Sequence, residues 1–207
     1  MSYPLAAITL RLLWLAAEGA HAMRRGEAGA REWSRIWAAW SPARRRRAAA
    51  AGEWERGSGL AWDVASLGGA LGVALWCAGV GGMRAGREWA GPVGLSLMAA
   101  GLAARWTAIR TLGRHFERVI NVRPDQVLVR RGLYGWVRHP SYTGALLAHL
   151  GFGLSFANWL ALAATFAPML AAALYRVSVE ERALRHRFGA EYDEYAARTK
   201  RLLPKLY

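Results

Sequence analysis

The sequence predicts an all-α, polytopic membrane protein with about five transmembrane helices, two of them forming a helical hairpin in the C-terminal half. Three observations support this fold class. Hydrophobic residues make up 54% of the 207 residues, several segments of about 20 residues carry almost no charge, and a formal net charge of +14 is concentrated outside those segments. The apolar content, with 11 Trp, excludes a disordered chain, and the single cysteine excludes an internal disulfide framework.

Four of the spans are predicted from length and hydropathy. Residues 60–83 and 89–109 each contain one charged residue and are long enough, as helices, to cross a hydrocarbon core of roughly 30 Å. Residues 142–175 contain no Asp, Glu, Lys or Arg, and at about 1.5 Å per residue they would form a helix of roughly 51 Å. We therefore expect two spans here, joined by a tight turn at residues 155–158.

Residues 3–22 form the weakest predicted span, because Arg11 and Glu18 interrupt the apolar run. The two charged residues are seven positions apart, so they share one helix face, which we expect to face the protein. A cleaved signal peptide is the alternative, since AHA at residues 20–22 resembles a signal-peptidase site. The charge order argues against it, because basic residues follow the apolar run and none precedes it.

The distribution of basic residues predicts the orientation in the membrane. Five spans place 25 of the 28 Lys and Arg residues on one side, in segments 24–57, 105–141 and 176–207, and two on the other. The positive-inside rule puts these segments in the cytoplasm and the N-terminus outside. An Arg-, Ala- and Gly-rich chain with two Lys residues is typical of a GC-rich genome, which predicts a bacterial cytoplasmic membrane.

The Arg run at residues 44–47, which has Trp residues on both sides, is compatible with a nucleic-acid patch or with a juxtamembrane segment. Trp rings at the headgroup level and Arg on anionic phosphate account for the same residues without a nucleic acid. No recognised nucleic-acid motif accompanies the charge, so we predict membrane lipids and no nucleic acid as partners. The further role of segment 24–57 is left open.

The segment 138–144, RHPSYTG, stands at the mouth of the fourth span. Pro140 is expected in the first helical turn and His139 at the helix entrance. Unpaired backbone N–H groups and the positive end of the helix dipole would then lie beside the side chains of His139, Ser141 and Tyr142, which suits a carboxylate or another anion. A plain helix start with interfacial His and Tyr residues explains the same pattern equally well.

The segment from residue 176, RVSVEE, lies where the last span leaves the membrane. Arg176 and Glu180 are on one helix face, and Glu181 is about 100° further round. Acidic residues at a hydrocarbon boundary are costly unless paired, which makes these carboxylates candidate functional groups. An intrahelical Arg–Glu ion pair is the alternative. After Gly189 we expect a short amphipathic cytoplasmic helix that lies against the membrane surface.

Two strings together resemble a known family. GLYGWVRHPSYTG (132–144) and RVSVEERALRHRFGAEYDEYAARTKRLLP (176–204) are similar to the isoprenylcysteine carboxyl methyltransferase family, within the wider group of membrane phospholipid methyltransferases. The resemblance extends back to residue 111 and covers about half of the chain. It implies a membrane enzyme that takes methyl from S-adenosylmethionine and transfers it to a lipophilic acceptor from the bilayer, most simply an isoprenylcysteine carboxylate.

The resemblance also implies roles for individual residues. It makes Arg176 and Glu180 the catalytic pair, with Arg176 holding the acceptor carboxylate and Glu180 binding the amino group of the cofactor. The implied cofactor-binding residues are Gln126, Val127, Leu128, Val129, Tyr134, His139, Pro140, Ser141, Tyr142, Glu180 and Glu181. Relatives often have His where this chain has Gln126. No metal site is predicted.

These assignments divide one integral membrane domain, 1–207, into N-terminal spans with a basic loop, 1–110, and a methyltransferase core, 111–207. The acceptor and the oligomeric state stay open. A lipid amine or small thiol acceptor would need a base, for which His139 or Glu181 is nearest. An NADPH-dependent membrane reductase is a further alternative, but the tandem acids suit its phosphates poorly and no GxGxxG stretch is present. A non-catalytic membrane module is the third class.

Overall fold

The computed structural model describes residues 3–24, 57–116 and 126–204, and within them the chain is mostly helical without a β-strand. The α-helices are α1 (Tyr3–Arg24), α2 (Ser58–Ser66), α3 (Gly68–Cys77), α4 (Arg87–Leu112), α5 (Pro140–Leu154), α6 (Trp159–Phe188) and α7 (Ala190–Arg198). Two 3₁₀ turns cover Gly113–His115 and Gly132–Gly135. Apart from its two ends, the predicted basic segment 24–57 lies outside the described residues.

Three helical stretches in the described residues are long and apolar enough to cross a membrane. They are Ser58–Cys77, which comprises α2 and α3, Arg87–Leu112 and Trp159–Phe188. α5 has 15 residues, and its length of about 22 Å is less than the hydrocarbon thickness. A polytopic helical fold is therefore confirmed, whereas the count of five spans stays a prediction.

The predicted turn of the C-terminal hairpin is confirmed at residues 155–158, between α5 and α6. Asn158 caps α6, because its side chain accepts a hydrogen bond from the Ala161 amide at 2.9 Å. The amide of the same side chain donates to the Val80 carbonyl at 2.7 Å. The turn is thereby attached to the loop between α3 and α4.

α4 and α5 pack with their backbones in close contact along a seam of glycines. Gly94 and Gly101 of α4 lie opposite Gly151 and Gly144 of α5, so the two helices run antiparallel and their glycines repeat every seven residues. A Cβ atom on Gly101 would lie 2.6 Å from the Gly144 carbonyl oxygen. Small residues at such spacing allow helices to approach closely in lipid, where hydrophobic association is weak.

α5 lies between two apolar clusters. The first contains Trp14 of α1, Met98 of α4 and Phe152 of α5, and the second contains Leu146 of α5 and Met169 of α6. α5 therefore has protein on opposite sides, which holds its N-terminal turn at a defined place relative to α4 and α6.

Arg11 and Glu18 of α1 face the protein, as predicted. Arg11 is buried and donates to the Ser66 carbonyl at 3.1 Å. The Glu18 carboxylate accepts from Arg105 Nε at 2.6 Å and from Trp14 Nε1 at 2.8 Å. α1 is thus connected by polar side chains to the end of α2 and to α4.

Gly101→Ala is expected to destabilise the protein by about 1–3 kcal/mol, because the added methyl group overlaps the α5 backbone. Alanine is the better helix former by about 1 kcal/mol, so propensity alone would give the opposite sign. The measurement is thermal unfolding of the detergent-solubilised protein. Gly82→Ala is the matched control, since a Cβ there meets nothing within 4 Å. Equal melting temperatures for Gly101→Ala and the wild type would contradict the close seam.

Candidate functional site

The N-terminal turn of α5 forms one side of the candidate site. Pro140 is the first helical residue and His139 is the N-cap, as the sequence predicts. The His139 carbonyl accepts from the amides of Tyr142 and Thr143 at 3.0 and 3.1 Å. The turn therefore offers fewer free N–H donors than the sequence indicated, although the positive end of the helix dipole remains.

The opposite side of the site comes from α6. Arg176 is 6% exposed, and its Nε donates to the Tyr142 hydroxyl at 2.9 Å. Its Nη1 donates to Ser58 Oγ at 3.4 Å, so α2 also contributes to the site. One turn further along α6, Glu180 Oε1 lies 3.9 Å from His139 Nδ1. The structure thus brings together four of the predicted residues from α5 and α6.

Glu181 has a different environment from Glu180. Its carboxylate is 1% exposed, and its two oxygens accept from Arg138 Nε and from Arg201, each at 3.0 Å. Its Oε1 also lies 3.6 Å from His139 Nε2. Two guanidinium groups therefore neutralise a buried carboxylate that would be costly alone.

The segment 199–202 runs along the start of α5 and is bound to it. The Arg138 amide donates to the Lys200 carbonyl at 2.7 Å, and the His139 amide donates to the Arg201 carbonyl at 3.0 Å. Arg138 Nη1 donates to the carbonyls of Ala196 and Thr199. Together with Glu181, these bonds determine where His139 lies. Sequence reasoning missed the pairing, whose one signal was the position of a cation directly before His139.

Tyr134, another predicted cofactor residue, is buried beside α7. Its carbonyl accepts from the Tyr195 hydroxyl at 2.7 Å. Burial and then the charge of Glu180 raise the pKa of Tyr134, and burial raises the pKa of Tyr195 to about 12. Both phenols are therefore protonated at neutral pH, and Tyr134 lies within electrostatic reach of Glu180.

A short helix, α7, follows Gly189, and its predicted place against the membrane surface stays a prediction. Tyr192 and Tyr195 are buried against the protein. Burial raises the pKa of Tyr192 above its ordinary value, and the charge of Glu181 adds to this effect. The periodicity that predicted an apolar face cannot distinguish a protein surface from a lipid surface.

The predicted cofactor residues 126–129 lie in an extended segment next to the end of α4. Three of them line an open cavity of about 510 Å³. Its lining residues are Thr111, Leu112, His115, Val127, Leu128, Val129, Arg130 and Arg131. Gln126, His139 and Glu180 are not among those lining residues. The structure thus places the predicted cofactor residues in two neighbouring groups.

Arg105 was not predicted to be a site residue, but it contacts one. Its Nη1 donates to the Ser141 carbonyl at 3.3 Å and to Ser141 Oγ at 3.0 Å. The available signal was a lone Arg inside an otherwise apolar span. Together with its ion pair to Glu18, these bonds connect α1, α4 and the N-terminal turn of α5.

Comparisons with known proteins match the part of the chain that contains most of this site. The model of the isoprenylcysteine carboxyl methyltransferase (ICMT) family matches residues 94–186, a range that contains α5, Arg176, Glu180 and Glu181. The match covers 93 of the 207 residues, so the similarity to this family is that of one part of the chain. The resemblance predicted from the two strings is therefore confirmed, and the match begins earlier, within α4, and ends before α7.

Curated relatives match about half of the chain. Protein-S-isoprenylcysteine O-methyltransferase B of Arabidopsis thaliana is 35% identical over 112 residues, which are 53% of this chain and 57% of the relative. Protein-S-isoprenylcysteine O-methyltransferase of Saccharomyces cerevisiae is 35% identical over 105 residues, which are 50% of this chain and 44% of the relative. The chain thus spans about half the length of the curated relatives it matches.

A solved structure supports the fold of this region. The eukaryotic intramembrane Ras methyltransferase ICMT matches with a TM-score of 0.51 at 32% identity, over 56% of this chain and 43% of that one. The matched part of this chain is thus similar to that structure in both sequence and fold.

Glu181→Gln is expected to loosen the segment 199–202, because it leaves Arg138 and Arg201 without their buried counter-charge. Removing one partner of a buried ion pair costs about 3–5 kcal/mol. The readout is the rate of trypsin cleavage after Lys200 and Arg201 in the solubilised protein, which we expect to increase.

Glu194→Gln is the matched control for this experiment, because it removes the exposed ion pair with Arg198 by the same substitution. Exposed pairs of this kind contribute about 0–1 kcal/mol, so cleavage should stay at the wild-type rate. Unchanged cleavage in both variants would show that Glu181 does not hold the segment.

Proposed function

We propose that the protein is an S-adenosylmethionine-dependent methyltransferase that methylates the carboxylate of an isoprenylcysteine-like acceptor in the membrane. The observation that carries the proposal is the placement of Arg176 and Glu180. They lie one turn apart on α6, opposite His139 and Tyr142 at the start of α5. A cation and an anion thereby stand side by side near the cytoplasmic end of the helices, within the region that matches the family.

The residues around Glu180 suit the amino-acid end of the cofactor. Glu180 is 32% exposed, so its carboxylate is accessible to an ammonium group. His139 Nδ1 lies 3.9 Å from the same carboxylate, so the imidazole stands beside the place that the ammonium group would take. The positive end of α5 favours the cofactor carboxylate. S-adenosylmethionine would supply a methyl group on a sulfonium. An acceptor oxygen would attack the methyl carbon in line, and S-adenosylhomocysteine would leave as the thioether.

We assign the second group of predicted residues to the remainder of the same cofactor. The cavity beside Val127, Leu128 and Val129 is within the range of about 300–1,000 Å³ that small-molecule sites occupy. Tyr134 follows the lining residue Arg131 by three positions and is buried within reach of the Glu180 charge. Gln126, at the beginning of the same segment, is included in this assignment.

Arg176 is proposed to orient the acceptor. Its guanidinium donates to the hydroxyls of Tyr142 and Ser58, which orient it between α5 and α2. A carboxylate acceptor is ionised at neutral pH and needs no base, so Arg176 has only to position it and keep it near the methyl group. Arg176 stands at the end of the apolar part of α6, which favours an acceptor that enters from the bilayer.

Glu181 is assigned to positioning rather than to direct contact with the cofactor. Both of its oxygens are bound by arginines, and one of these arginines directly precedes His139. Glu181 thereby holds His139 and the start of α5 in place. For the whole protein we propose one integral membrane domain in a bacterial cytoplasmic membrane, with the N-terminus outside and the site on the cytoplasmic side.

Glu180→Gln is expected to weaken binding of S-adenosylhomocysteine by about 10–100-fold, because a charge-assisted hydrogen bond to the ammonium group is lost. The measurement is calorimetry on the detergent-purified protein, with NADPH titrated in parallel. Binding of NADPH alone, or of neither ligand, to the wild type would overturn the methyltransferase proposal.

Arg176→Gln is expected to raise the KM for N-acetyl-S-farnesylcysteine at least tenfold while S-adenosylhomocysteine binding stays within about threefold of the wild type. The KM is measured from the transfer of labelled methyl from S-adenosylmethionine to this acceptor in purified membranes. Arg182→Gln is the control, because Arg182 is exposed on the same helix. Transfer of label to lipid amines instead of the farnesylated acid would contradict the assigned acceptor.

A further inference from the structure

Arg105 and Glu18 form a buried ion pair that no step of the proposed reaction uses. The Arg105 side chain is 8% exposed and that of Glu18 is 13% exposed, with 2.6 Å between Arg105 Nε and Glu18 Oε1. Glu18 belongs to α1, which lies outside the family region 94–186. A buried pair of this kind gives little net stability, so its presence calls for another reason.

The second set of bonds from Arg105 leads to the proposed cofactor site. Arg105 Nη1 donates to both the carbonyl and the hydroxyl oxygen of Ser141, which is in the first turn of α5. With Nε on Glu18 and Nη1 on Ser141, the planar guanidinium is held at two points. Any rotation of the first turn of α5 would break one of these bonds.

We propose that Arg105 and Glu18 are positioning residues of the methyltransferase site. Glu18 fixes the Arg105 guanidinium, and Arg105 fixes Ser141 in the first turn of α5. This inference rests on the proposed function. It assigns to the N-terminal helix, outside the family region, a part in binding the cofactor.

The test measures S-adenosylhomocysteine binding and methyl-transfer kinetics in Glu18→Gln and Arg105→Gln of the full chain. Each variant is expected to weaken binding and to raise the KM for S-adenosylmethionine by about tenfold, with a smaller effect on kcat. A merely structural role would reduce the fraction of active protein and leave Kd and KM unchanged. Arg105→Lys, which keeps the charge, is expected to recover part of the affinity.

Arg110→Gln is the matched control, because Arg110 is exposed on the same helix and should leave Kd within about twofold. A double-mutant cycle between Glu18→Gln and Ser141→Ala tests the connection through Arg105. Each variant interrupts the same connection, so the double variant should bind only as weakly as the weaker of the two single variants. Effects of the two substitutions that simply multiply would overturn the inference.

Hydrogen exchange at the amides of residues 141–144 tests the proposal in variants that fold poorly. Exchange there should become faster in Arg105→Gln and stay unchanged in Arg110→Gln. Equal exchange in both would overturn the positioning role.

The two proposals fail differently. A wild type that binds no S-adenosylhomocysteine overturns the function and this inference with it. A wild type that binds it, with unchanged Kd in Glu18→Gln and Arg105→Gln, overturns this inference alone.

Discussion

The close approach of α4 and α5 is the constraint on which the rest of the structure depends. Gly101 and Gly144 leave no side chain between the two backbones, and the helix axes come together at this level. One turn beyond Gly101, the side chain of Arg105 therefore reaches the first turn of α5 instead of ending in lipid. The position of the candidate site follows from this packing, because α5 brings its N-terminal turn to the same level as Arg176 and Glu180 of α6.

The pairing of charged side chains around the start of α5 is the second constraint on the structure. Arg138 and Arg201 compensate Glu181, and Arg105 compensates Glu18, so the buried carboxylates are paired. Arg176 donates to the hydroxyls of Tyr142 and Ser58. Of the carboxylates around the start of α5, Glu180 is the one whose side chain is 32% exposed.

Local patterns in the sequence predict the features that one segment decides by itself. The turn at 155–158, the place of Pro140 in the first turn of α5 and the shared face of Arg176 and Glu180 follow from charge distribution, proline geometry and helical spacing. The ion pair between Glu18 and Arg105 joins residues 87 positions apart, and no local pattern contains such information. The bonds of Glu181 to Arg138 and Arg201 depend in the same way on how segments meet, as does the burial of Tyr192.

The binding of segment 199–202 along the start of α5 has a consequence for shortened forms of the chain. The backbone amides of Arg138 and His139 donate to carbonyls about 60 positions later. These partners lie outside the α5–α6 hairpin, which ends at Phe188. A chain that stops before residue 199 would therefore keep the whole hairpin and lose the bonds that place His139.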